Sequence, residues 1–248
     1  MAIIGIDIGG TKIRAVLWDG RRVVRAHEFP TPKNKDDLKE GLMTLVSHLS
    51  REKSIRAIGI GAAGIVEKTT LVSSPNISYI KNFAFRPLWP RSIRLRVDND
   101  ARCFARAELL SGAGRGAKSL FALTIGTGIG RAYGKNGKIV KLKRFEYPER
   151  WEKAYQAIRS RRDDRQLANF LGEKFYRLMR PFKPEVVVIG GGVMERRGFP
   201  RRLETALRDQ GLRAKIRRAA FRKNAAAIGA ALLLQELIPH HRLGYHTQ

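Results

Sequence analysis

The sequence contains little cysteine and no long apolar stretch. Cys103 is the one cysteine among 248 residues, which excludes an internal disulfide and a zinc site built on several thiolates. No apolar run reaches the ~18 to 20 residues that a membrane-spanning helix needs. The chain enters its first strand directly after Met1, without a basic, cleavable leader. We therefore expect a cytoplasmic protein that has no membrane partner.

Acidic residues are also scarce, since 22 Asp and Glu stand against 49 Lys and Arg and give a formal net charge of +27. Such a balance favours acidic partners, including phosphorylated ligands and nucleic acid. The sequence contains no helix-turn-helix, zinc finger or aromatic RNA-binding platform. We therefore interpret the charge as a solvated basic surface and do not expect a nucleic-acid partner, although the charge leaves one open. Few cysteines and many charges are also typical of a thermophile.

The hydrophobic pattern predicts an α/β fold with an internal duplication. Strands at 2–8, 12–19 and 22–29 precede a helix at 36–51 and a buried strand at 55–61. The same opening recurs at 119–140. We predict an N-terminal α/β lobe over residues 1–111 and a C-terminal α/β lobe over 112–238, followed by a loose tail at 239–248. A closing helix at 224–237 could pack back on the first lobe.

Two glycine turns, "DIGGTK" and "TIGTGIG", occupy equivalent places in the two lobes. Glycine lacks Cβ, so its backbone N–H groups can approach a phosphate closely, while threonine hydroxyls and a lysine add donors and charge. Asp7 precedes the first turn by one residue and is placed to bind a phosphate-bound Mg²⁺ through water. The predicted phosphate-binding residues are Gly9, Gly10, Thr11, Lys12, Thr124, Gly126, Thr127 and Gly128.

The motifs gain specificity from their order along the chain. They are "GIDIGGTK" at 5–12, "GIGAAGIV" at 59–66, the segment 97–130, "NGKI" at 136–139 and "VVVIGGGV" at 186–193. Together they resemble the ROK family (repressors, open reading frames and sugar kinases) of the actin/hexokinase/Hsp70 superfold, over roughly residues 1–140 and 185–235. The resemblance implies two ribonuclease-H-like lobes around an ATP cleft and a glucokinase-like kinase that uses ATP and Mg²⁺ on a hexose or amino sugar. We expect a homodimer.

The resemblance also implies roles for particular residues. Asp100 would be the general base, and a carboxylate at a helix start can indeed take the proton of a sugar hydroxyl as the phosphoryl group leaves. Asn99 and Asn76 would contact sugar hydroxyls. The alternatives are helix capping for Asp100 and Asn99 and turn formation for Asn76. The residues that would lie along the adenosine part of ATP are Gly190, Gly191 and Gly192.

The sequence departs from the family directly after "NGKI". The family usually continues with a Glu-Ile-Gly-His that grips the sugar and a His/Cys cluster that binds zinc, whereas this chain reads "VKLKRFEYPERWEKAYQ" and has no histidine nearby. We expect no zinc site. Glu146 could replace the missing glutamate or be a surface charge beside Tyr147. Arg131 stands where the family commonly has glycine, so it could place a cation near the phosphates or be solvated.

Two functions remain open at this point. The first is a MgATP-dependent sugar kinase, favoured by the retained Asp100. The second is a catalytically weak or inactive ATP-binding regulatory or scaffolding protein that uses its basic surface to bind nucleic acid, favoured by the altered segment 140–160. We do not expect a DNA-binding repressor, because the chain begins at its first strand.

Overall fold

We analysed a computed structural model of the chain, which describes residues 2–51, 55–142, 145 and 147–237. The contacts divide the protein into two compact units. The first contains the described residues up to Ala107 and from Asn224 onward, and the second runs from Glu108 to Lys223. Within the described ranges, no helix has the length and apolar character required to cross a membrane.

Strands and helices alternate along most of the chain. Up to residue 110 the elements are β1 (Ile3–Ile8), β2 (Lys12–Trp18), β3 (Val23–Pro30), α1 (Lys35–Ser50), β4 (Ala57–Ala62), β5 (Ile65–Glu67), β6 (Thr70–Ser73), β7 (Lys81–Ala84), β8 (Arg94–Asn99) and α2 (Asp100–Leu110). The remaining elements are β9 (Ser119–Ile125), β10 (Ile129–Lys135), β11 (Lys138–Val140), α3 (Trp151–Ser160), α4 (Asp164–Met179), β12 (Val186–Gly190), α5 (Phe199–Asp209), β13 (Lys215–Arg218) and α6 (Ala225–Ala231).

The two units contain five-stranded sheets of the same topology. The strand order is β3-β2-β1-β4-β8 in the first unit and β11-β10-β9-β12-β13 in the second. In each sheet the first three strands form an antiparallel meander, and the first strand pairs in parallel with a strand that follows later in the chain. The predicted duplicated α/β unit is therefore confirmed.

Helix α6 packs unusually close to the sheet of the first unit. Ile4, Ile6 and Ile8 of β1 belong to the core that α1 covers, and the alternate residues of β1, which include Ile3 and Gly5, face the opposite side. A Cβ atom on Gly5 would lie 1.9 Å from the carbonyl oxygen of Ala227, and one on Gly59 would lie 1.9 Å from that of Ala230. Only glycine permits this approach, which explains why small residues recur in β1, β4 and α6.

The core of the second unit lies between its sheet and the helices α3, α4 and α5. The sequence of residues 148–179 predicts a helix-rich stretch, which the structure divides into α3 and α4. Arg162 has a left-handed backbone with a φ of 58°, and the side chain of Asp163 accepts hydrogen bonds from the backbone N–H groups of Arg165 and Gln166. The chain therefore ends one helix and caps the next within three residues.

Two sequence predictions of secondary structure were wrong. The proline-punctuated sequence of residues 73–90 predicts an irregular loop, but these residues contain β7, which pairs with β6 in a small three-stranded sheet. Phe83 and Phe85 supply its buried side, with ring centroids 5.0 Å apart. The closing helix was expected to run over 224–237, but α6 ends at Ala231, and a 3₁₀ segment with non-helical backbone at Leu234 follows.

Candidate functional site

The turn between β1 and β2 is hydrogen-bonded to the loop that follows β3. The backbone N–H of Gly9 donates to the carbonyl oxygen of Lys12 at 3.2 Å, and the hydroxyl of Thr31 donates to the carbonyl oxygen of Gly9 at 2.7 Å. The ammonium group of Lys12 is exposed and lies 3.5 Å from the carboxylate of Glu28. The first predicted phosphate turn is therefore a hairpin turn that hydrogen bonds fix on its carbonyl side. The ammonium group of Lys12 lies next to it.

Gly10 brings this turn into contact with Asn76, the predicted sugar contact. A Cβ atom on Gly10 would lie 2.5 Å from Cβ of Asn76 and 2.8 Å from its carbonyl oxygen. The φ of Gly10 is not in the left-handed region, so close packing rather than backbone conformation requires glycine here. The side chain of Asn76 is exposed. The first unit therefore places Asn76 beside the glycine turn.

We predict that Gly10→Ala destabilises the protein by about 1 to 3 kcal/mol, because the added methyl group would overlap the backbone of Asn76. Thermal unfolding followed by circular dichroism would measure the change. Gly126→Ala is the matched control, since a Cβ atom there would have no neighbour within 4 Å among the described residues. Equal melting temperatures for Gly10→Ala and the wild type would contradict the close contact.

Asp7 lies one residue before the end of β1, opposite Arg14 of β2 and Gly61 of β4. Burial raises the pKa of Asp7 to about 7, with a further contribution from the charge of Asp100, whereas Lys12 and Arg14 pull the pKa down. The guanidinium of Arg14 is bonded elsewhere: it donates to the carboxylate of Glu28 and, at 2.6 Å, to the side-chain oxygen of Asn224. Burial and the charge of Asp100 therefore both disfavour the ionised form of Asp7.

Asp100 begins α2, and its neighbour Asn99 caps that helix. The side-chain oxygen of Asn99 accepts hydrogen bonds from the N–H groups of Ala101 at 3.0 Å and Arg102 at 3.3 Å, and its amide donates to the carbonyl oxygen of Gly64 at 3.2 Å. Asn99 thus caps α2, which was the alternative to a sugar contact. A contact between Asn99 and the sugar stays a prediction. Burial raises the pKa of Asp100, although a hydrogen bond from the Ala101 N–H, at 2.9 Å, acts against this.

Asp98 fixes the first turns of α2, and the sequence analysis gave it no role. Its carboxylate, almost fully buried, accepts hydrogen bonds from Arg102 at 2.6 Å and Arg106 at 3.0 Å. Burial would raise the pKa of Asp98, but these two guanidinium groups outweigh it and hold the pKa below its usual value. Asp98, Arg102 and Arg106 follow one another at intervals of four residues, and this helical spacing predicts that the two arginines lie near Asp98. Below, these two ion pairs are called the Asp98 clamp.

We predict that Asp7→Asn raises the free energy of unfolding at pH 8 but not at pH 4. The unfolded chain releases this proton near the ordinary pKa of 3.8 and the folded chain near 7. Wild-type stability therefore falls as the pH rises between these values. The gain at pH 8 should be on the order of 1 kcal/mol, since the side chain is partly solvated.

Urea unfolding at the two pH values measures this gain. Asp209→Asn, an exposed change of the same kind at the end of α5, is measured in parallel as the control. A gain of the same size at pH 4 and pH 8 would contradict the raised pKa of Asp7.

In the second unit, the turn between β9 and β10 lies beside the turn that follows β12. Thr124 pairs with Gly130 across the hairpin and with Gly190 of β12. Gly191 has a φ of 96°, and a Cβ atom on it would lie 2.4 Å from the carbonyl oxygen of Ile125. The predicted phosphate and adenosine residues of this unit are thus brought together. Gly192 follows directly, and a Cβ atom on it would have no neighbour within 4 Å among the described residues.

Helix α3 contacts the β9–β10 turn through three side chains that the sequence analysis did not identify. The carbonyl oxygen of Gly126 accepts hydrogen bonds from the hydroxyl of Tyr155 at 2.5 Å and from Arg159 at 2.8 Å. The side-chain amide of Gln156 donates to the carbonyl oxygen of Thr127. Their acceptors are backbone carbonyl groups, which give no signal in a sequence.

Arg131 is not solvated, so that interpretation is wrong. Its side chain is 2% exposed and donates to the backbone carbonyl oxygens of Phe145, at 2.6 Å, and Tyr147. It also forms ion pairs with Glu149 at 3.3 Å and Glu152 at 3.2 Å. Arg131 therefore attaches the altered segment to β10. Glu146 lies outside the described residues.

The described residues contain no group of three or more His, Cys, Asp and Glu side chains that could hold a metal ion. Mg²⁺ does not require such a group, because it keeps several waters and is usually held by one or two carboxylates together with substrate phosphates. Asp7 in the first unit suits a hydrated ion of this kind, since burial and the charge of Asp100 disfavour its ionised form and a nearby cation would favour it.

The sequence model of the ROK family matches residues 3–144 and 149–237. The chain belongs to the ROK family. The match resumes at residue 149 and continues through α3 and α4, so it extends beyond the motifs from which the resemblance was first recognised. Its interruption at 145–148 falls in the loop that Arg131 holds.

Characterised relatives of the chain are sugar kinases. It is 34% identical to a glucokinase of Streptomyces coelicolor over 131 residues, 51% of this chain and 41% of the relative. It is 35% identical to an N-acetyl-D-glucosamine kinase of Haemophilus influenzae over 145 residues, 54% of this chain and 46% of the relative. The chain thus spans less than half the length of these curated relatives.

Solved structures show the same fold over nearly the whole chain. A ROK glucokinase from Streptomyces griseus in complex with glucose and AMPPNP aligns with a TM-score of 0.82 at 22% identity, covering 95% of this chain and 100% of the other. A ROK family transcriptional regulator, a homologue of the Escherichia coli MLC protein, aligns with a TM-score of 0.73 at 18% identity, covering 96% of this chain and 78% of the other. The fold is therefore that of ROK sugar kinases, and a regulator shares it.

Proposed function

We propose that the protein is an ATP-dependent kinase that transfers the γ-phosphoryl group of MgATP to a hydroxyl of a hexose or an amino sugar. Its family membership and the glucokinase and N-acetyl-D-glucosamine kinase relatives support this class of reaction. The proposed phosphate contacts are the two glycine turns, with Gly190, Gly191 and Gly192 along the adenosine. Asn76 and Asn99 are the proposed sugar contacts within the described residues.

The observation that carries the proposal is the placement of Asp100. A general base must be ionised before the reaction and must bind a proton during it, so a pKa above the usual carboxylate value is an advantage. Burial provides that shift. The Asp98 clamp and the Asn99 cap fix the helix start that carries Asp100. We infer that Asp100 takes the proton of the attacking hydroxyl.

Mg²⁺ would enter with the nucleotide and be held through water by Asp7, with Asp100 nearby. When bound, it would neutralise charge that develops on the phosphate oxygens. Asp7 would contribute its negative charge and orient the water molecules of the ion. Arg14 would remain bonded to Glu28 and Asn224, as it is in the structure, and so would not compete for Asp7.

We predict that Gly126→Ala weakens MgATP binding by about tenfold while leaving the melting temperature unchanged. A Cβ atom at this position meets open space in the protein, so the methyl group would obstruct only a phosphate that approaches the turn. Calorimetric titration with MgATP measures the affinity. Ala113→Gly, away from the turn, is the control. It is preferred to Gly116→Ala because Gly116 has a left-handed backbone with a φ of 82°.

We predict that Asp100→Asn binds MgATP normally but loses about 10² to 10⁴-fold in turnover, the usual contribution of a positioned general base. ADP release, coupled to a reporter reaction and measured across a panel of hexoses and amino sugars, tests the activity and identifies the acceptor. Asp36→Asn, an exposed change near the start of α1, is the control. Near-parental turnover in Asp100→Asn would exclude Asp100 as the base.

The alternative function is a nucleotide-binding regulatory protein with weak or no catalysis. The specific observation in its favour is the altered segment 140–160, whose sequence lacks the histidine and the His/Cys cluster that the family resemblance leads one to expect after residue 139. ADP release below detection with every sugar, together with MgATP binding, would support this alternative over the kinase.

A further inference from the structure

Helix α3 holds the β9–β10 turn by its carbonyl groups. Tyr155 and Arg159 donate to the carbonyl oxygen of Gly126, and Gln156 donates to that of Thr127. In a planar trans peptide, the C=O of one residue and the N–H of the next point in opposite directions. The N–H groups of Thr127 and Gly128 are therefore directed away from α3.

Two successive backbone N–H groups that point the same way form a concavity that favours an anion. Without α3, each peptide plane of this glycine-rich turn could rotate, because glycine imposes little restriction on φ and ψ. Three donors on one rigid helix remove that freedom before a ligand arrives, and a preorganised site does not lose binding energy to ordering. The turn also has an internal hydrogen bond, from the Gly126 N–H to the Gly128 carbonyl oxygen at 3.0 Å.

The helix itself is anchored at both ends. At its start, Glu152 forms the ion pair with buried Arg131 of β10. At its end, Arg196 donates to the carbonyl oxygen of Arg159 at 3.3 Å and to the carboxylate of Asp164, on α4, at 2.7 Å. Burial raises the pKa of Tyr155 to about 12, so its hydroxyl remains a donor at neutral pH. Neither the helix nor its donors are therefore expected to shift when a ligand binds.

We propose that Tyr155, Gln156 and Arg159 are positioning residues, which orient the peptide planes of the Gly126–Gly128 turn for the phosphates of the nucleotide. The proposal rests on the proposed function, because it takes the turn to be a phosphate contact. It also assigns a role to α3, which the ion pair between Arg131 and Glu152 connects to β10.

The experiment measures the affinity of the full chain for MgATP and for adenosine, in the wild type and two variants. Tyr155→Phe removes one donor to the Gly126 carbonyl oxygen but keeps the buried ring. Gln156→Met removes the donor to Thr127 at an exposed position, where a folding defect is not expected. Tyr176→Phe, which removes a hydroxyl from α4, is the matched control. Calorimetry would give the MgATP affinities, and NMR titration the weaker adenosine affinities.

We expect each of Tyr155→Phe and Gln156→Met to weaken MgATP binding by about 3- to 10-fold, the range for loss of one hydrogen bond. Adenosine binding should change less than about twofold, because adenosine has no phosphate to contact the turn. The double variant should lose about 10- to 100-fold for MgATP. Tyr176→Phe should match the wild type for both ligands.

Two results would overturn the proposal. Unchanged MgATP affinity in both single variants would mean that α3 does not determine the geometry of the turn. Equal losses for MgATP and adenosine would mean that α3 supports the whole unit rather than the phosphate contact. A wild-type chain that binds neither ligand would instead refute the proposed function itself, and this outcome is recognisable before any variant is made.

Discussion

The parallel pairing of β1 with β4, and of β9 with β12, is the constraint on which the candidate site residues of both units depend. Parallel strands end at the same edge of a sheet, so the residues that follow them are brought together. In the first unit this register places Asp7 opposite Gly61, and the next strand continues the row to Asp98. In the second unit it places Thr124 opposite Gly190.

The same pairing brings several carboxyl groups with different pKa shifts into one region of the first unit. Burial raises the pKa of Asp7 to about 7, and the charge of Asp100 contributes to the same shift. Asp98 has the opposite environment, because two arginines surround it. Two kinds of carboxyl group therefore lie within three residues: two guanidinium groups hold the pKa of Asp98 below its usual value, whereas burial raises the pKa of Asp100. Differences of this kind separate the supporting from the reactive groups in a site.

The sequence was informative where the signals are local. The alternation of isoleucine with Gly5 and Asp7 predicts β1, and the glycine pairs predict the turns, because both depend on neighbouring residues. The sheet of β5, β6 and β7 was missed because its strands have only three or four residues and their pairing decides their conformation. The close contact of Gly10 with Asn76 was missed because it joins positions 66 residues apart.

The two units use the same topology but fix their glycine turns in different ways. In the first, the turn is packed against Asn76 and bonded to Thr31, so its conformation follows from steric contact with neighbouring loops. In the second, the turn is open around Gly126, and a helix holds its carbonyl oxygens. That helix depends on Arg131, a buried cation whose desolvation is offset by two carboxylates and two carbonyl oxygens. A buried charge with this many partners tolerates little displacement, so the ion cluster around Arg131 can give the Gly126–Gly128 turn a defined geometry.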